Sequence, residues 1–188
     1  MVSRPSTPAP PSASRFIDTL SASLAPDAAE LLYSVGRHGM RALLQRVSGA
    51  SVEADEQVIG SIDRGLVTLL GVAMGDGPDD ARYLAEKILN LRIFEDAAGK
   101  LNHSLLSARG ACLLVSQFTL CANTRRGRRP DFLGAAPPER AGPLVLDVAA
   151  RLRAGGVPVV EGRFGARMVV RLANDGPVTI WLDTRERA

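Results

Sequence analysis

The chain has 188 residues, 46% of them hydrophobic and 23% charged, which is enough apolar material for one well-buried domain. No apolar run approaches the length of a bilayer span, and a formal charge of +3 is too small to single out a polyanionic partner by itself. Two cysteines, Cys112 and Cys121, make neither a disulfide framework nor, with the isolated His103, a metal site, so the simplest reading is a pair of reduced thiols in a cytoplasmic protein.

Residues 1–39 open on a Pro-, Ser- and Ala-rich stretch that cannot bury enough apolar surface to offset the entropy of ordering. They are expected to form a disordered, dispensable extension, in which residues 16–33 outline a short amphipathic helix interrupted by Pro26. Arg4, Arg15 and Arg37 there balance Asp18, Asp27 and Glu30, and these acids and the prolines argue against a transit peptide. The positive excess therefore lies in residues 40–188, densest at 125–129, and the domain is expected to start at Met40.

From Met40 the pattern is that of strands, over residues 42–47, 51–54, 57–62 and 66–73, separated by Gly49, Asp55-Glu56 and Arg64-Gly65. Arg46 interrupts an otherwise apolar first strand: it either faces water at an edge or, if it points inward, needs partners for its guanidinium. Gly75-Asp76-Gly77-Pro78 breaks the chain before a helix with Ala81, Leu84, Ile88 and Leu91 on one face. Residues 90–95 lead into a strand and a turn at Ala98-Gly99, and residues 101–106 read as an irregular connection carrying the lone His103, which receives no catalytic role.

Residues 111–115 are a short buried strand that turns abruptly polar at Ser116 and Gln117. Two readings stay open for these groups: hydroxyls capping backbone at a strand end, or a site. If the strand continued to Leu120, alternation would place Ser116 and Thr119 on opposite faces, so they share a pocket only if the strand bends or ends between them. Arg125, Arg126, Arg128 and Arg129 are likewise either a solvated loop or a phosphate clamp. A second helix runs from Pro138 to about Arg153 and stops at Gly155-Gly156, with Pro143 implying either a later start or a kink. Strands follow at residues 157–160, 167–172 and 178–182, the last two flanking Asn174-Asp175-Gly176-Pro177, which reads as a hairpin turn. The order gives a mixed α/β class in one domain rather than repeated βαβ units.

Ser116-Gln117-Phe118-Thr119-Leu120 and the stretch from Asn174 through Gly176-Pro177 to Thr179 resemble the two signature motifs of the D-aminoacyl-tRNA deacylases. Gln45-Arg46-Val47, Asn90 to Phe94, Gly127-Arg128-Arg129-Pro130 and Gly162-Arg163-Phe164 extend the likeness over essentially all of residues 40–188. The resemblance implies a largely antiparallel, barrel-like sheet with two main packing helices, and hydrolysis of the ester of D-aminoacyl-tRNA and of mischarged glycyl-tRNA. It implies catalysis by backbone groups around Ser116, Gln117, Phe118 and Thr119 together with the tRNA 2′-hydroxyl. It also implies a homodimer, in which a cis Gly176-Pro177 bond enters the partner's site as a chirality filter.

By the same likeness Arg46 holds the carbonyl of Gly176, Met168 packs nearby, Phe164 stacks on the terminal adenine and Arg125, Arg126, Arg128 and Arg129 meet tRNA phosphates. No metal or organic cofactor is implied, and no Ser-His-Asp set is available from His38 and His103. Thr119 as a covalent nucleophile lacks a nearby base. Cys121, Asn123 and Arg171 depart from the family's pattern and bear on substrate preference. The rival readings are a non-catalytic tRNA-binding module on the same scaffold and a cysteine hydrolase using Cys121 with His103.

Overall fold

The computed structural model describes residues 39–125 and 127–187. The expected N-terminal extension, apart from Gly39, lies outside the described residues, as does Arg126. The sheet is assembled on β1 (Arg41–Ala54), which pairs antiparallel with β2 (Gln57–Ile62), β3 (Gly65–Gly71) and, along its whole length, β8 (Met168–Asp183). Beyond β3 lie β6 (Ala111–Ser116) and β7 (Val159–Glu161), both parallel, giving the order β2-β1-β3-β6-β7 with β8 on the far side of β1.

Two cores share this sheet because β1 changes the use of its faces partway along. Ala42 and Leu44 join a large core with Leu66, Leu70, Cys112 and Leu114, whereas Val47, Ala50 and Val52 join a smaller one with Val67, Leu113 and Val115. An unpaired residue, Ser48, stands between the partners of Asn174 and Ala173. One extra residue reverses which face a strand presents, so the first half of β1 serves one core and the second half the other. This is also why the separate strands expected at 42–47 and 51–54 are one 14-residue strand.

The large core is covered by α1 (Pro78–Asn90) and α2 (Pro138–Ala154), which pack on each other and bury Leu84 and Ile88 from the first, Val148 and Leu152 from the second. Pro78 occupies the first turn of α1 and the Asp80 carboxylate accepts from the Gly77 N–H at 2.9 Å, fixing the start that the sequence indicated. Helix α2 begins at Pro138 and runs through Pro143. The smaller core is enclosed by curling of the sheet: a Cβ on Gly60 of β2 would lie 2.3 Å from Val160 Cγ1 of β7, so only glycine lets these strands close on each other. The result is the mixed α/β, barrel-like architecture with two packing helices.

Two expectations are corrected. Residues 101–103 are not irregular: β5 (Leu101–His103) pairs with β4 (Phe94–Glu95) in a small lobe. Asn174 to Pro177 is not a hairpin turn, because both flanking segments run in one direction against β1. Gln45 faces Thr179 and Val47 faces Asn174, so two steps on β1 span five on β8 and the intervening residues bulge out of a continuous strand. Turn chemistry read locally cannot distinguish a reversal from a bulge; pairing with β1, more than a hundred residues away, decides it.

Candidate active site

Strand β6 ends at Ser116, and the chain passes through Gln117 into a short 3-10 turn, Phe118–Cys121. The Gln117 N–H donates to the Leu70 carbonyl at 2.7 Å, and Leu120 N–H returns to Gln117 O at 3.2 Å. The turn sits hard against β3 because residue 71 is glycine: a Cβ there would come within 2.9 Å of both Gln117 O and Leu120 Cβ. From behind, Arg41 Nη1 donates to the Leu120 carbonyl at 2.7 Å while its Nε pairs with Asp183 at 3.0 Å. The first two N–H groups of the turn, those of Phe118 and Thr119, have no acceptor among the described residues.

The turn forms one edge of a cavity of about 580 Å³ that Ser116, Gln117 and Phe118 line together with Phe132, Phe164 and Met168, closed below by Ala141 and Val145 of α2. The lining is mainly apolar, with hydroxyl and amide groups confined to the strand end. That pattern suits a ligand with an apolar part and one polar junction. Phe164 lies over Gly142, where a Cβ would touch the ring at 3.8 Å, and remains 43% exposed, so one face stays open to a planar group.

Thr119 does not line the cavity. It is exposed, and its Oγ1 accepts from Gln117 Nε2 at 2.5 Å, so it orients Gln117 rather than facing the same space. The strand does end between Ser116 and Thr119, yet the two hydroxyls do not converge.

Arg46, Gly176 and Pro177 lie elsewhere. Arg46 is only 3% exposed and fully engaged: Nη1 donates to Ile93 O at 2.8 Å, Nη2 meets Glu95 at 3.1 Å, and Nε bonds Asp175 O at 3.1 Å and the Asp175 carboxylate at 3.0 Å. The carbonyl that Arg46 holds is thus that of Asp175, one residue before the expected Gly176, because the bulge turns Asp175 inward and leaves Gly176 and Pro177 exposed. The Gly176-Pro177 bond is cis.

The arginine loop is clasped at its base, where Asn123 and Asp131 exchange backbone bonds of 2.9 and 3.0 Å and Asn123 Nδ2 reaches the Asp131 carboxylate at 3.0 Å. Just beyond the clasp, Phe132 meets Phe118 edge-on at 5.1 Å, which ties the loop to the cavity mouth. Arg125, Arg128 and Arg129 are exposed and pair with no carboxylate among the described residues.

The unusual residues find structural work: Asn123 makes the clasp, and Arg171 pairs across the sheet with Glu53 at 2.8 Å. Cys121 is buried beneath the turn, and burial pushes its thiol up to about 11, so it presents no thiolate. His103 stands in the β4–β5 lobe beside a different cavity. These facts remove the support for a cysteine hydrolase. Among the described residues no three His, Cys, Asp or Glu side chains gather as metal ligands would.

Sequence reasoning missed Phe132 and Arg41. An aromatic residue directly after the arginine loop was a usable signal for the first; nothing local marks the second.

Residues 43–183 match the family model described as D-Tyr-tRNA(Tyr) deacylase. The D-aminoacyl-tRNA deacylase of Thermomicrobium roseum is 58% identical over 147 residues, covering 78% of this chain and 96% of that protein. The protein of the same name from Roseiflexus sp. strain RS-1 is 59% identical over 145 residues, covering 77% and 94%. Among solved structures, a c-Myc DNA unwinding element binding protein superposes with a TM-score of 0.71 at 40% identity, covering 76% of this chain and 97% of that one. A probable eukaryotic D-amino acid tRNA deacylase has the same fold, with a TM-score of 0.68 at 18% identity over 77% of this chain and 98% of that one.

Proposed function

The chain belongs to the D-Tyr-tRNA(Tyr) deacylase family and is a hydrolase of D-aminoacyl-tRNA, a proofreading enzyme, and we propose that it works through the cavity edged by the Phe118–Cys121 turn. Water adds to the ester carbonyl, the carbonyl oxygen takes the negative charge, and collapse returns the 3′-oxygen to tRNA and releases the amino acid. The observation that carries this reading is the unpartnered N–H of Phe118, at the polar edge of an otherwise apolar cavity, with the equally unpartnered N–H of Thr119 next to it along the turn. Donors fixed in place before reaction stabilise an oxyanion without reorganisation, and an aminoacyl ester is activated enough to need little more.

Ser116 and Gln117 bound the pocket, with Thr119 holding the Gln117 amide in place. The 2′-hydroxyl of the terminal ribose positions the water, Phe164 stacks on the adenine, Met168 packs under the amino acid, and Arg125, Arg126, Arg128 and Arg129 meet phosphates. Glycine, lacking a side chain, is accepted from mischarged tRNA as well.

Chirality is read by a second copy. Arg46 fixes Asp175, and Gly176-Pro177 projects from β8 into the partner's cavity, where rigid backbone beside the α-carbon leaves room for hydrogen but not for an L side chain. Support for a homodimer comes from β8 itself, an edge strand paired on one side only among the described residues that exposes Val169, Leu172 and Trp181. Residues 40–188 carry the activity, residues 1–39 are dispensable, and the enzyme acts in the cytoplasm where tRNA is used.

The test is deacylation of matched D- and L-tyrosyl-tRNA by residues 40–188 and by a Pro177→Ala variant. Loss of the D ester alone, with the L ester attacked by the variant, is expected. tRNA binding without cleavage of either ester would replace this reading with the binding module.

A further inference from the structure

The β4–β5 lobe carries its own cavity, of about 420 Å³, lined by Asn90, Arg92, Asn102, His103, Ser104 and Ser107. Every lining residue is polar and none is a carboxylate. We propose that this cavity holds a backbone phosphate of the tRNA whose ester occupies the partner copy's active site, a proposal that rests on the cross-subunit reading above for the identity of its ligand.

The electrostatics favour an anion. Arg92 is exposed and makes no ion pair among the described residues, whereas Arg46, Arg82, Arg151 and Arg153 each have a carboxylate within 3.2 Å. Asp96, whose carboxylate is bonded to the cavity residue Asn102, is turned into its own loop: it accepts from Ala98 N–H at 2.8 Å, Lys100 N–H at 3.0 Å and Asn102 Nδ2 at 2.5 Å. These bonds, the Asn102 amide foremost, hold its carboxyl below the usual range, and it does not line the cavity.

The framework is pinned as well. The Ser104 and Ser107 hydroxyls brace each other and the backbone between them, and Asn90 Nδ2 donates to Glu86 O at 2.8 Å. What carries no hydrogen bond or ion pair among the described residues is the Arg92 guanidinium, which lines the cavity with His103, a residue within electrostatic reach of Asp96. A guanidinium fork matches the oxygens of a phosphodiester. Arg64, placed over the Phe94 ring at 5.4 Å, adds positive charge to the same lobe.

Position supplies the occupant. Arg92 directly precedes Ile93, whose carbonyl accepts from Arg46, and His103 pairs with Phe94. Arg46 in turn holds Asp175, so the lobe and the Gly176-Pro177 bulge are tied to one guanidinium. Where the bulge enters a partner's cavity, this lobe arrives with it, beside the RNA leaving that cavity.

The experiment compares wild type, Arg92→Ala, Arg92→Glu and Arg92→Lys for tRNA binding against salt, and for hydrolysis of D-tyrosyl-tRNA against D-tyrosyl-adenosine, which has no phosphate. Losing one phosphate contact should lower the slope of log K against log salt by about 0.7 to 0.9 in Arg92→Ala. The kcat/KM ratio of tRNA to adenosine ester should fall about tenfold, mainly through KM, further in Arg92→Glu and less in Arg92→Lys. An unchanged slope and ratio would overturn the proposal, as would an equal loss on both esters, which marks damage to the fold. Inorganic phosphate as competitor separates the sources: if Arg92→Ala weakens phosphate binding while the tRNA slope stays at the wild-type value, the cavity takes free phosphate and the proposal fails. A wild-type protein that hydrolyses neither ester would sink the proposed function, while the salt slope would still judge this cavity.

Discussion

The cavity beside the Phe118–Cys121 turn and the Gly176-Pro177 bulge are built on opposite principles. The cavity is concave and apolar, with N–H groups left open at its edge; the bulge is convex and exposed, with its base fully bonded through Arg46. One leaves backbone donors open, and the other commits the donors of Arg46 to its anchoring. A surface offering open donors suits a substrate, and a projection anchored at its base suits excluding one, so under the proposed function reaction and selection are separate devices.

The comparison can be broken at either end. The largest effect is expected at Arg46, because Arg46→Ala strips the buried Ile93 carbonyl of its donor and frees the Asp175 segment. Urea unfolding should show a loss of about 3 kcal/mol, and D-ester hydrolysis should survive in the folded fraction with poorer rejection of the L ester. Next comes Gly71→Ala, which pushes on Gln117 and Leu120 and so displaces the turn. A shift of its donors by a fraction of an ångström to about an ångström should lower kcat up to about a hundredfold with little change in tRNA binding. Phe132→Ala removes the edge-to-face partner of Phe118 and should cost about 1 kcal/mol, read as a several-fold rise in KM.

The smallest effect on activity concerns the support beneath the turn. Asp76 accepts from the Ala73 N–H at 2.7 Å, but its other oxygen has no hydrogen-bond partner. Burial foremost, with the Asp80 and Asp183 charges adding, raises its carboxyl from 3.8 to about 7. The folded state therefore binds more protons than the unfolded chain between those values, and stability is lost as pH rises from about 4 to about 7. Asp76→Asn should raise the melting temperature relative to wild type most at pH 8 and least near pH 4, as calorimetry at the two pH values would show.

What the sequence revealed follows the range of the interactions involved. Helix α1 was legible because Pro78, the acids after it and the spacing of Ala81, Leu84 and Ile88 act within one turn of each other. The polar end of β6 was legible for the same reason. The continuity of β8 was not, since Asp175-Gly176-Pro177 carries turn chemistry while the pairing that keeps the strand going comes from β1. Arg46 announced a need for partners, yet Ile93, Glu95 and Asp175 lie 47 or more residues away. Arg41 gave no sign at all: its contact with Leu120 exists only because β1 and β6 flank β3.

The central claim is that the bulge of one copy selects for the cavity of another. Hydrolysis of L-tyrosyl-tRNA by a fixed amount of Pro177→Ala, mixed and equilibrated with an increasing amount of Gly71→Ala, whose bulge is intact and whose cavity is slowed, tests it most directly. In a mixed dimer the intact bulge closes the active cavity to the L ester while the altered bulge opens only the slowed one, so a tenfold excess of Gly71→Ala should suppress L hydrolysis about tenfold. A rate of L hydrolysis independent of added Gly71→Ala would show that each bulge serves its own chain, and would contradict the account.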